Sequence, residues 1–558
     1  MEKIIECVPN FSEGRNMDII NKITDEIKSV EGAVLLDVDP GKDTNRTVVT
    51  FVGTPDIVVE AAFRAVKRAS ELIDMSTHKG SHPRMGATDV CPLIPVSGIT
   101  KEECVKYAQK LAERIGTLGI PVYLYAHAAV RPERKKLPDI RKGEYEALSE
   151  KMKDPDFAPD AGSAEFNSKS GATAVGVRDF MLAYNINLNT KEKKFARKIG
   201  MNIREKGRAK RDKRGKIIRD ENGKSIIIPG KLKYCQAAGW YIEEYGYAQV
   251  TMNLHNYSVT GLHTAFDTVC EEAAKFGLRV TGSELVGLLP KKALLDAGKH
   301  YLSKQGRNTG IPEKEIIHMG IISLGLNDTT PFDPEKRIIE YCIENKEGKL
   351  ISLRIEEFVD ELSSNSPAPG GGSVSALSGA LSSGLSSMAA ALTFGKEGYK
   401  RYNGMMEDLS VAAQNFKRKF LTLVDEDTEV FNSYMVAVCL PKKTDKDKEK
   451  REEAIEAAAK KAAEIPFQTL MLCDPLMDLS DKAAKNGNKN TLSDVAVCAI
   501  QAEAAAEGAW MNVIINLLSI KDEKFRNRIR EESDRILKSV KHKRKRIVNF
   551  IKKKLLNG

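Results

Sequence analysis

The stretch HKGSHPRMGATDVCPLIPV, residues 78–96, joins a glycine- and proline-rich segment to a strand-like run. Its glycines and prolines prevent a continuous helix, so we predict a loop that leads into a strand. His82 lies beside Arg84 on this loop, and a histidine in such a place can stay neutral at cellular pH and serve as a general base. A histidine that only hydrogen bonds to the backbone is the alternative that the loop alone leaves open.

Strand-like and helix-like segments alternate on both sides of this loop. Short β-type runs at 33–38 and 47–52 precede a helical pattern at 55–73, and a second helical pattern follows at 100–115. A similar alternation fills residues 180–330, in an order compatible with a ferredoxin-like arrangement. The pattern predicts two packed α/β sandwich subdomains.

The composition and the periodicity of the sequence change after a linker. From residue 351 the chain follows helical periodicity and is rich in Ala, Leu, Ser and Lys, which is typical of an all-α helical bundle. A length of 558 residues also exceeds one hydrophobic core. We therefore predict a multidomain protein, with two α/β (ferredoxin-like) subdomains at 1–179 and 180–330, a linker at 331–350, and a helical domain at 351–558.

The N-terminal residues, the hydrophobic runs and the cysteines predict the cellular compartment of the protein. The N-terminus has no apolar signal-peptide core, and no run has the length and apolarity of a membrane span. The nine cysteines include no CxxC pair, as expected for reduced thiols rather than a disulfide framework or a zinc site. We predict a cytoplasmic protein without a bound metal.

The net charge of +10 is concentrated in two segments. Residues 204–233 carry +8, residues 535–554 carry +10, and the rest of the chain is mildly acidic. The core of the first segment, KIIRDENGKSIII, reads as a hairpin around Asn222-Gly223. Solvated surface, nucleic-acid binding and attraction of a polyanionic small substrate all remain open, although the segment lacks the aromatic residues of single-strand binders.

Four further segments accompany the histidine loop: IIECVPNFSEGR (4–15), LLDVDPGKDTNRTVVTFVG (35–53), PVYLYAHAA (121–129) and GEYEAL (143–148). Together they closely resemble the formiminotransferase half of the formimidoyltransferase-cyclodeaminase family, bifunctional folate enzymes of histidine breakdown. The resemblance implies that His82 is the catalytic residue of the first half. It also implies that GSAEFNSKSG (162–171) is a folate-binding loop, with Gly162, Ser163 and Gly171 as candidate contacts.

Three charged residues near the loop are candidates for substrate contacts. Arg46 and Arg84 suit substrate carboxylates, because a guanidinium pairs with a carboxylate in bidentate fashion. Asp39 could orient His82 or the substrate amine.

The helical half contains two candidate features. In PAPGGGS (367–373), Gly370, Gly371 and Gly372 let the backbone approach a ligand, and Ser373 begins a helix whose free N–H groups can bind an anion or a carbonyl. Asp427 falls within an apolar helical stripe, whereas Asp425, Glu426 and Glu429 point away from it. Lost solvation favours a protonated carboxyl group, suited to acid–base work, although a salt-bridged or capping aspartate is an equal alternative.

These features, with LVDEDTEVF, NTLSDVAVCA and NVIINL, resemble the cyclodeaminase domain of the same family. The resemblance implies that Asp427 is the active-site residue, and it makes Asn490, Ser493 and Asp494 further candidates, although these three could be an ordinary helix cap.

The family resemblance implies two consecutive reactions. A formimino group passes from N-formimino-L-glutamate to tetrahydrofolate, and ring closure then gives methenyltetrahydrofolate and ammonia. Tetrahydrofolate, expected in polyglutamylated form, is a co-substrate, and a homo-oligomer without membrane or nucleic-acid partners is expected. A protein with one working half and a basic nucleic-acid-associated binding protein are the alternatives.

Overall fold

The computed structural model describes residues 3–42, 44–80, 82–243, 245–343, 349–366 and 368–557. Contacts between residues divide the chain into two compact units, the first formed by 1–297 and 321–344 and the second by 298–320 and 345–558. Residues 298–320 thus group with the helical domain, whereas the sequence pattern assigned them to the second α/β subdomain.

The first subdomain alternates strands and helices around one sheet. Helix starts follow local signals: the Asn16 side chain accepts hydrogen bonds from the first turn of α1, and Thr100 and Glu103 form a capping box at α3. The elements are β1 Ile4–Cys7, β2 Asn10–Phe11, α1 Met17–Lys28, β3 Val34–Gly41, β4 Arg46–Gly53, α2 Pro55–Leu72, β5 Thr88–Ser97, α3 Lys101–Gly116, β6 Val122–Ala126, α4 Leu137–Arg141, α5 Glu144–Lys151 and β7 Thr173–Val177.

The order of strands explains the ferredoxin-like character of this subdomain. The strands β3, β4, β1 and β5 lie side by side and antiparallel, with α1 and α2 as their connections. Beyond β5 the sheet continues with β7 and then β6, both parallel to their neighbours. Helices α1, α2 and α3 bury one face of this sheet, and α4 and α5 pack on the other face at β5, β6 and β7.

The second subdomain repeats the same topology. Its strands lie in the order β11, β12, β8, β13, all antiparallel, which confirms the predicted ferredoxin-like arrangement. The elements are β8 Leu182–Leu188, α6 Lys193–Ile203, β9 Arg208–Ala209, β10 Ile227–Ile228, β11 Cys235–Ile242, β12 Tyr247–Leu254, α7 Leu262–Ala274, β13 Val280–Val286, α10 Pro334–Arg337 and α11 Ile339–Ile343. Two more helices, α8 Lys291–Lys304 and α9 Glu313–Leu324, have residues in both units.

The basic insert between α6 and β11 contains two copies of one turn. Asp212 accepts backbone hydrogen bonds from Arg214 and Lys216 through its side chain, and Asp220 does the same eight residues later. The predicted turn at Asn222-Gly223 is therefore the second of a pair. The strand that follows it pairs with β9, so the ladder of β9 and β10 encloses both turns.

The second unit is helical, as the sequence pattern predicted. Small residues on one helix, α13, allow two neighbouring helices to approach it closely. Its buried serines donate hydrogen bonds to backbone carbonyls: Ser382 to that of Cys498, and Ser383 to that of Gly379. No helix within the described ranges is long and apolar enough to cross a membrane. The helices are α12 Ile355–Leu362, α13 Gly371–Ala391, α14 Asn403–Val438, α15 Asp445–Asn486, α16 Leu492–Leu517 and α17 Glu523–Leu556.

Candidate functional site

Asn45 holds together three loops at one end of the first sheet. Its side chain accepts from the backbone N–H of Gly14 at 3.0 Å and donates to the carbonyl of Lys79 at 3.0 Å. Its own carbonyl lies 3.0 Å from Nε2 of His78. Asn45 has a φ of +49°, a left-handed conformation that asparagine tolerates better than most residues. The histidine loop is thereby fixed beside Arg46, the first residue of β4.

His82 and Arg46 are in direct contact. Nη1 of Arg46 hydrogen bonds to Nε2 of His82. A guanidinium can only donate, so Nε2 must accept and the imidazole must be neutral, with its proton on Nδ1. Among the residues that the structure describes, nothing bonds to Nδ1 of His82 or to Nε of Arg46, and both atoms are buried. Two N–H groups therefore remain available to a ligand.

The electrostatic surroundings keep His82 uncharged. Burial lowers the pKa of the imidazole below its usual 6.5, and the positive charge of Arg46 lowers it further. Asp89 acts in the opposite direction, but its carboxylate is engaged by Arg141, with Nε 3.2 Å from Oδ1. The geometry thus provides a neutral proton acceptor at physiological pH.

Arg84 is already paired. Its guanidinium lies 2.6 Å from Glu146 and 3.0 Å from Glu144, and its Nε donates to Nδ1 of His78 at 3.3 Å. A substrate carboxylate could bind Arg84 only by displacing one of these glutamates. Glu144 and Glu146 belong to the GEYEAL segment, and their pairing with Arg84 is a tertiary contact that no pattern in the sequence indicates.

Asp39 is exposed on β3, opposite Val48 of β4. Burial lowers the pKa of Arg46, and the negative charges of Asp89 and Asp39 act in the opposite direction, so Asp39 lies close enough to Arg46 to interact with it. Asp39 therefore lies near the predicted site.

The two ends of the 162–171 loop lie in different places. Gly171 has a φ of +64° and pairs with Gly86 of the histidine loop, where a side chain on either glycine would strike backbone. Gly162 is packed against Ile120 at the other end of the loop, and the Ser163 hydroxyl only accepts from a backbone N–H two residues on. The structure brings Gly171 against Gly86 of the histidine loop and leaves Gly162 and Ser163 further along the 162–171 loop.

A second site forms in the helical unit where the start of α13 meets α14. The Ser373 hydroxyl lies 3.2 Å from Oδ2 of Asp427 and 2.9 Å from the carbonyl of Val424. The carboxyl group of Asp427 fills the space that a side chain at position 372 would need, and Asn512 of α16 lies against Gly371. Glycine is therefore required at position 372 for this close approach to Asp427, whereas the approach of a ligand to the three glycines stays a prediction.

Burial raises the pKa of Asp427 above its usual value, and the hydrogen bonds from Ser373 partly offset the effect. No charged group contributes to this shift among the described residues. Asp425, which the sequence pattern places away from the apolar stripe of Asp427, is nevertheless buried, with only 9% of its surface exposed. It accepts a backbone hydrogen bond from Ile351 at 3.3 Å and thereby holds the end of the linker.

Asn490, Ser493 and Asp494 lie at the opposite end of α13. Asn488 caps the short turn that contains Asn490, and its backbone N–H donates to Thr393, just beyond the end of α13. Since α13 has 21 residues, this end is about 30 Å from the Ser373 end at 1.5 Å per residue. Within one chain these three residues do not share a site with Asp427.

Comparisons with known proteins cover both units. Residues 4–178 match the family model "Formiminotransferase domain, N-terminal subdomain", residues 183–344 match "Formiminotransferase domain", and residues 354–535 match "Formiminotransferase-cyclodeaminase".

Relatives match the whole chain and each half. Formimidoyltransferase-cyclodeaminase of Sus scrofa is 42% identical over 545 residues, 97% of both chains. Glutamate formimidoyltransferase of Streptococcus pyogenes is 44% identical over 54% of this chain and 94% of its own length. The crystal structure of formiminotetrahydrofolate cyclodeaminase from Thermotoga maritima is 29% identical, covers 37% of this chain and 99% of that chain, and superposes with a TM-score of 0.34.

The contact between Arg46 and His82 predicts the direction of a titration. In Arg46→Gln the pKa of His82 should rise toward 6.5, because one of the three causes that lower it, namely burial and the charges of Arg46 and Arg141, is removed. The measurement is an NMR titration of isotope-labelled histidine in the full chain, with Arg64→Gln, a substitution elsewhere on the first subdomain, as the matched control. An unchanged or lower pKa for His82 in Arg46→Gln contradicts the assignment.

Proposed function

The chain belongs to the formimidoyltransferase-cyclodeaminase family, and we propose that His82 and Asp427 are the proton carriers of its two activities. It is a bifunctional enzyme of histidine degradation, a glutamate formimidoyltransferase and a formimidoyltetrahydrofolate cyclodeaminase. This confirms the family and the function that the sequence motifs predicted. The residue roles, the domain boundaries and the finer substrate details remain proposals.

In the first reaction, an amine of tetrahydrofolate attacks the amidine carbon of N-formimino-L-glutamate. A proton must leave the attacking nitrogen, and another must reach the nitrogen that departs with glutamate. Neutral His82 can do both, first as base and then as acid, once Arg46 releases Nε2 and turns to a substrate carboxylate. The observation that carries this role is the neutral imidazole required by the Arg46 contact.

In the second reaction, the other folate nitrogen closes on the same carbon and ammonia leaves. The departing nitrogen needs a proton, and Asp427 is the donor, because burial favours its protonated form. The Ser373 hydroxyl suits both states of Asp427: it can donate to the carboxylate, or donate to the carbonyl of Val424 while it accepts from the protonated acid.

Neither basic segment favours the nucleic-acid alternative. The inner face of α17 is neutralised by acidic residues of α15 and α16, with Lys543 3.1 Å from Asp474 and 2.8 Å from Asp478, and Lys541 2.8 Å from Glu507. The insert keeps exposed cations, which suit the anionic tail of a polyglutamylated folate. Ultraviolet absorbance of the purified protein distinguishes the two, because co-purifying nucleic acid would support the alternative. Cytoplasmic location and homo-oligomerisation remain predictions.

His82→Ala should abolish formimino transfer and leave ring closure of supplied formiminotetrahydrofolate intact, because only the first site loses its proton carrier. The two reactions are assayed separately, by glutamate release and by methenyltetrahydrofolate absorbance. His318→Ala, on an exposed helical position, is the control and should retain both activities. Substantial transfer by a folded His82→Ala protein would falsify the assignment.

Asp427→Asn should have the reverse effect. It preserves the shape of the side chain but removes the titrating group, so formiminotetrahydrofolate should accumulate and ammonia release should stop. Glu429→Gln, an exposed acid on the same helix, is the matched control and should release ammonia normally. If Asp427→Asn releases ammonia near the rate of the unmodified enzyme, another group carries the proton.

The exposed insert should retain polyglutamylated intermediates, since a bound anionic tail raises the local concentration of the folate. Replacement of Lys210, Lys213 and Arg214 by glutamine should increase release of the intermediate with polyglutamate but not with monoglutamate substrate. Arg211 is left in place because it donates to the Gly215 carbonyl at 2.6 Å.

High salt should mimic this triple substitution, because exposed charges interact over only about 8 Å at physiological ionic strength. The control is the triple substitution of the exposed lysines 442, 443 and 446. Equal retention of mono- and polyglutamate intermediates by the unmodified enzyme, without salt dependence, rules out this role for the insert.

A further inference from the structure

The histidine loop carries a second histidine, His78, whose imidazole contacts two other parts of the site. Its Nε2 lies 3.0 Å from the carbonyl oxygen of Asn45, which can only accept, so Nε2 carries a proton. Its Nδ1 lies 3.3 Å from Nε of Arg84, which can only donate, so Nδ1 carries none. The two contacts fix His78 as a neutral imidazole, in the opposite tautomer to His82.

These contacts form a bridge that runs parallel to the Arg46–His82 hydrogen bond. Asn45 is the residue before Arg46, and Arg84 follows His82 by two residues. His78 joins Asn45 to Arg84, so the start of β4 and the histidine loop are connected twice. The position of His82 beside β4 therefore depends on the His78 bridge as well as on the contact with Arg46.

Arg84 is held firmly enough to serve as the fixed end of this bridge. Its side chain is only 9% exposed, and its guanidinium is paired with Glu144 and Glu146 of α5. The backbone carbonyl of Arg84 also accepts from the N–H of Tyr145 at 2.9 Å. The histidine loop is thus attached to α5 at Arg84, and His78 connects that attachment to the start of β4.

A charged His78 would break the bridge, because its Nδ1 would then carry a proton directed at another donor. Burial lowers the pKa of His78 and two arginines lower it further, whereas the Asn45 carbonyl and the charge of Glu13 act in the opposite direction. The pKa remains below its usual 6.5, so the bridge is intact at physiological pH. The charged groups that face His78 are Arg84, Glu13, Arg15 and Glu146.

We propose that His78 is a positioning residue for formimino transfer. When Arg46 releases Nε2 of His82 and turns to the substrate, the His78 bridge holds the histidine loop against the start of β4. Transfer then requires two neutral histidines, His82 as the proton acceptor and His78 as the bridge. This assignment rests on the proposed function, because it takes His82 to be the proton carrier.

The first measurement needs neither a variant nor turnover. In the full chain with ¹⁵N-labelled histidine, the nitrogen chemical shifts report the tautomer of each imidazole at neutral pH. We expect two neutral imidazoles of opposite tautomers in the histidine loop, with the proton on Nε2 of His78 and on Nδ1 of His82. A charged His78, or one that carries its proton on Nδ1, overturns the bridge.

The second measurement is the pH dependence of kcat/KM for transfer, followed by glutamate release. In His78→Asn an amide oxygen lies near the position of Nδ1, and in His78→Gln an amide N–H lies near that of Nε2, so each variant keeps one contact and cannot titrate. We expect each to lower kcat/KM about tenfold at neutral pH, the loss of one hydrogen bond, and His78→Leu to lower it about a hundredfold.

The decisive readout is the acid limb of the plot of log kcat/KM against pH. Its limiting slope counts the protons that abolish transfer, so we expect the slope to fall by one in His78→Asn and His78→Gln. His318→Asn, at an exposed helical position, is the control and should keep the slope of the unmodified enzyme.

An unchanged acid slope in both amide variants overturns the proposal even if their activity is low, because a merely structural role lowers activity alike at every pH. Should His78→Leu fail to fold, the tautomers and the two amide variants still decide. Failure of the proposed function is distinguishable, because His82→Ala would then retain transfer while the tautomer of His78 remained as described.

Discussion

The hydrogen bond between Arg46 and His82 sets the charge state on which the first site depends. Two groups that can both be cationic touch only because one of them is neutral, and burial makes the imidazole the one that gives up its proton. In the helical unit burial also favours the neutral form of a side chain, but the side chain is an acid, so its pKa is raised rather than lowered. There burial raises the pKa of Asp427 and so favours its protonated form, as the proton donor proposed for the departing ammonia requires.

The ferredoxin-like arrangement explains where the first site can form. Helices α1, α2 and α3 cover one face of the first sheet, so polar side chains of β1 and β4 that alternate with core residues emerge on the other face. Arg46 and Glu6 share that face at two ends of the sheet, and the loops tied together by Asn45 place His82 at one of them.

In the helical unit, the close approach of helices brings the polar groups of the site together, instead of the alternation of side chains along a strand. Gly371 and Gly372 bring the start of α13 against α14 and α16, so the hydroxyl and the backbone N–H of Ser373 both reach Asp427. A side chain on Gly372 would occupy the space of the carboxyl group. The site therefore depends on the absence of side chains as much as on the residues that carry the chemistry.

The sequence by itself determined the class of each domain, the family, and the proton carriers proposed for both reactions. Periodicity and loop composition are local properties of the chain, and the long motifs around His82 and Asp427 can be recognised from the sequence alone. Only the tertiary structure decided which groups meet. It paired Arg84 with two glutamates, buried Asp425 against the linker, and separated Asn490 from Asp427 by the length of α13. It also placed Glu6 near Arg178, 172 residues apart in the chain, because strand order rather than sequence distance decides which side chains share a face.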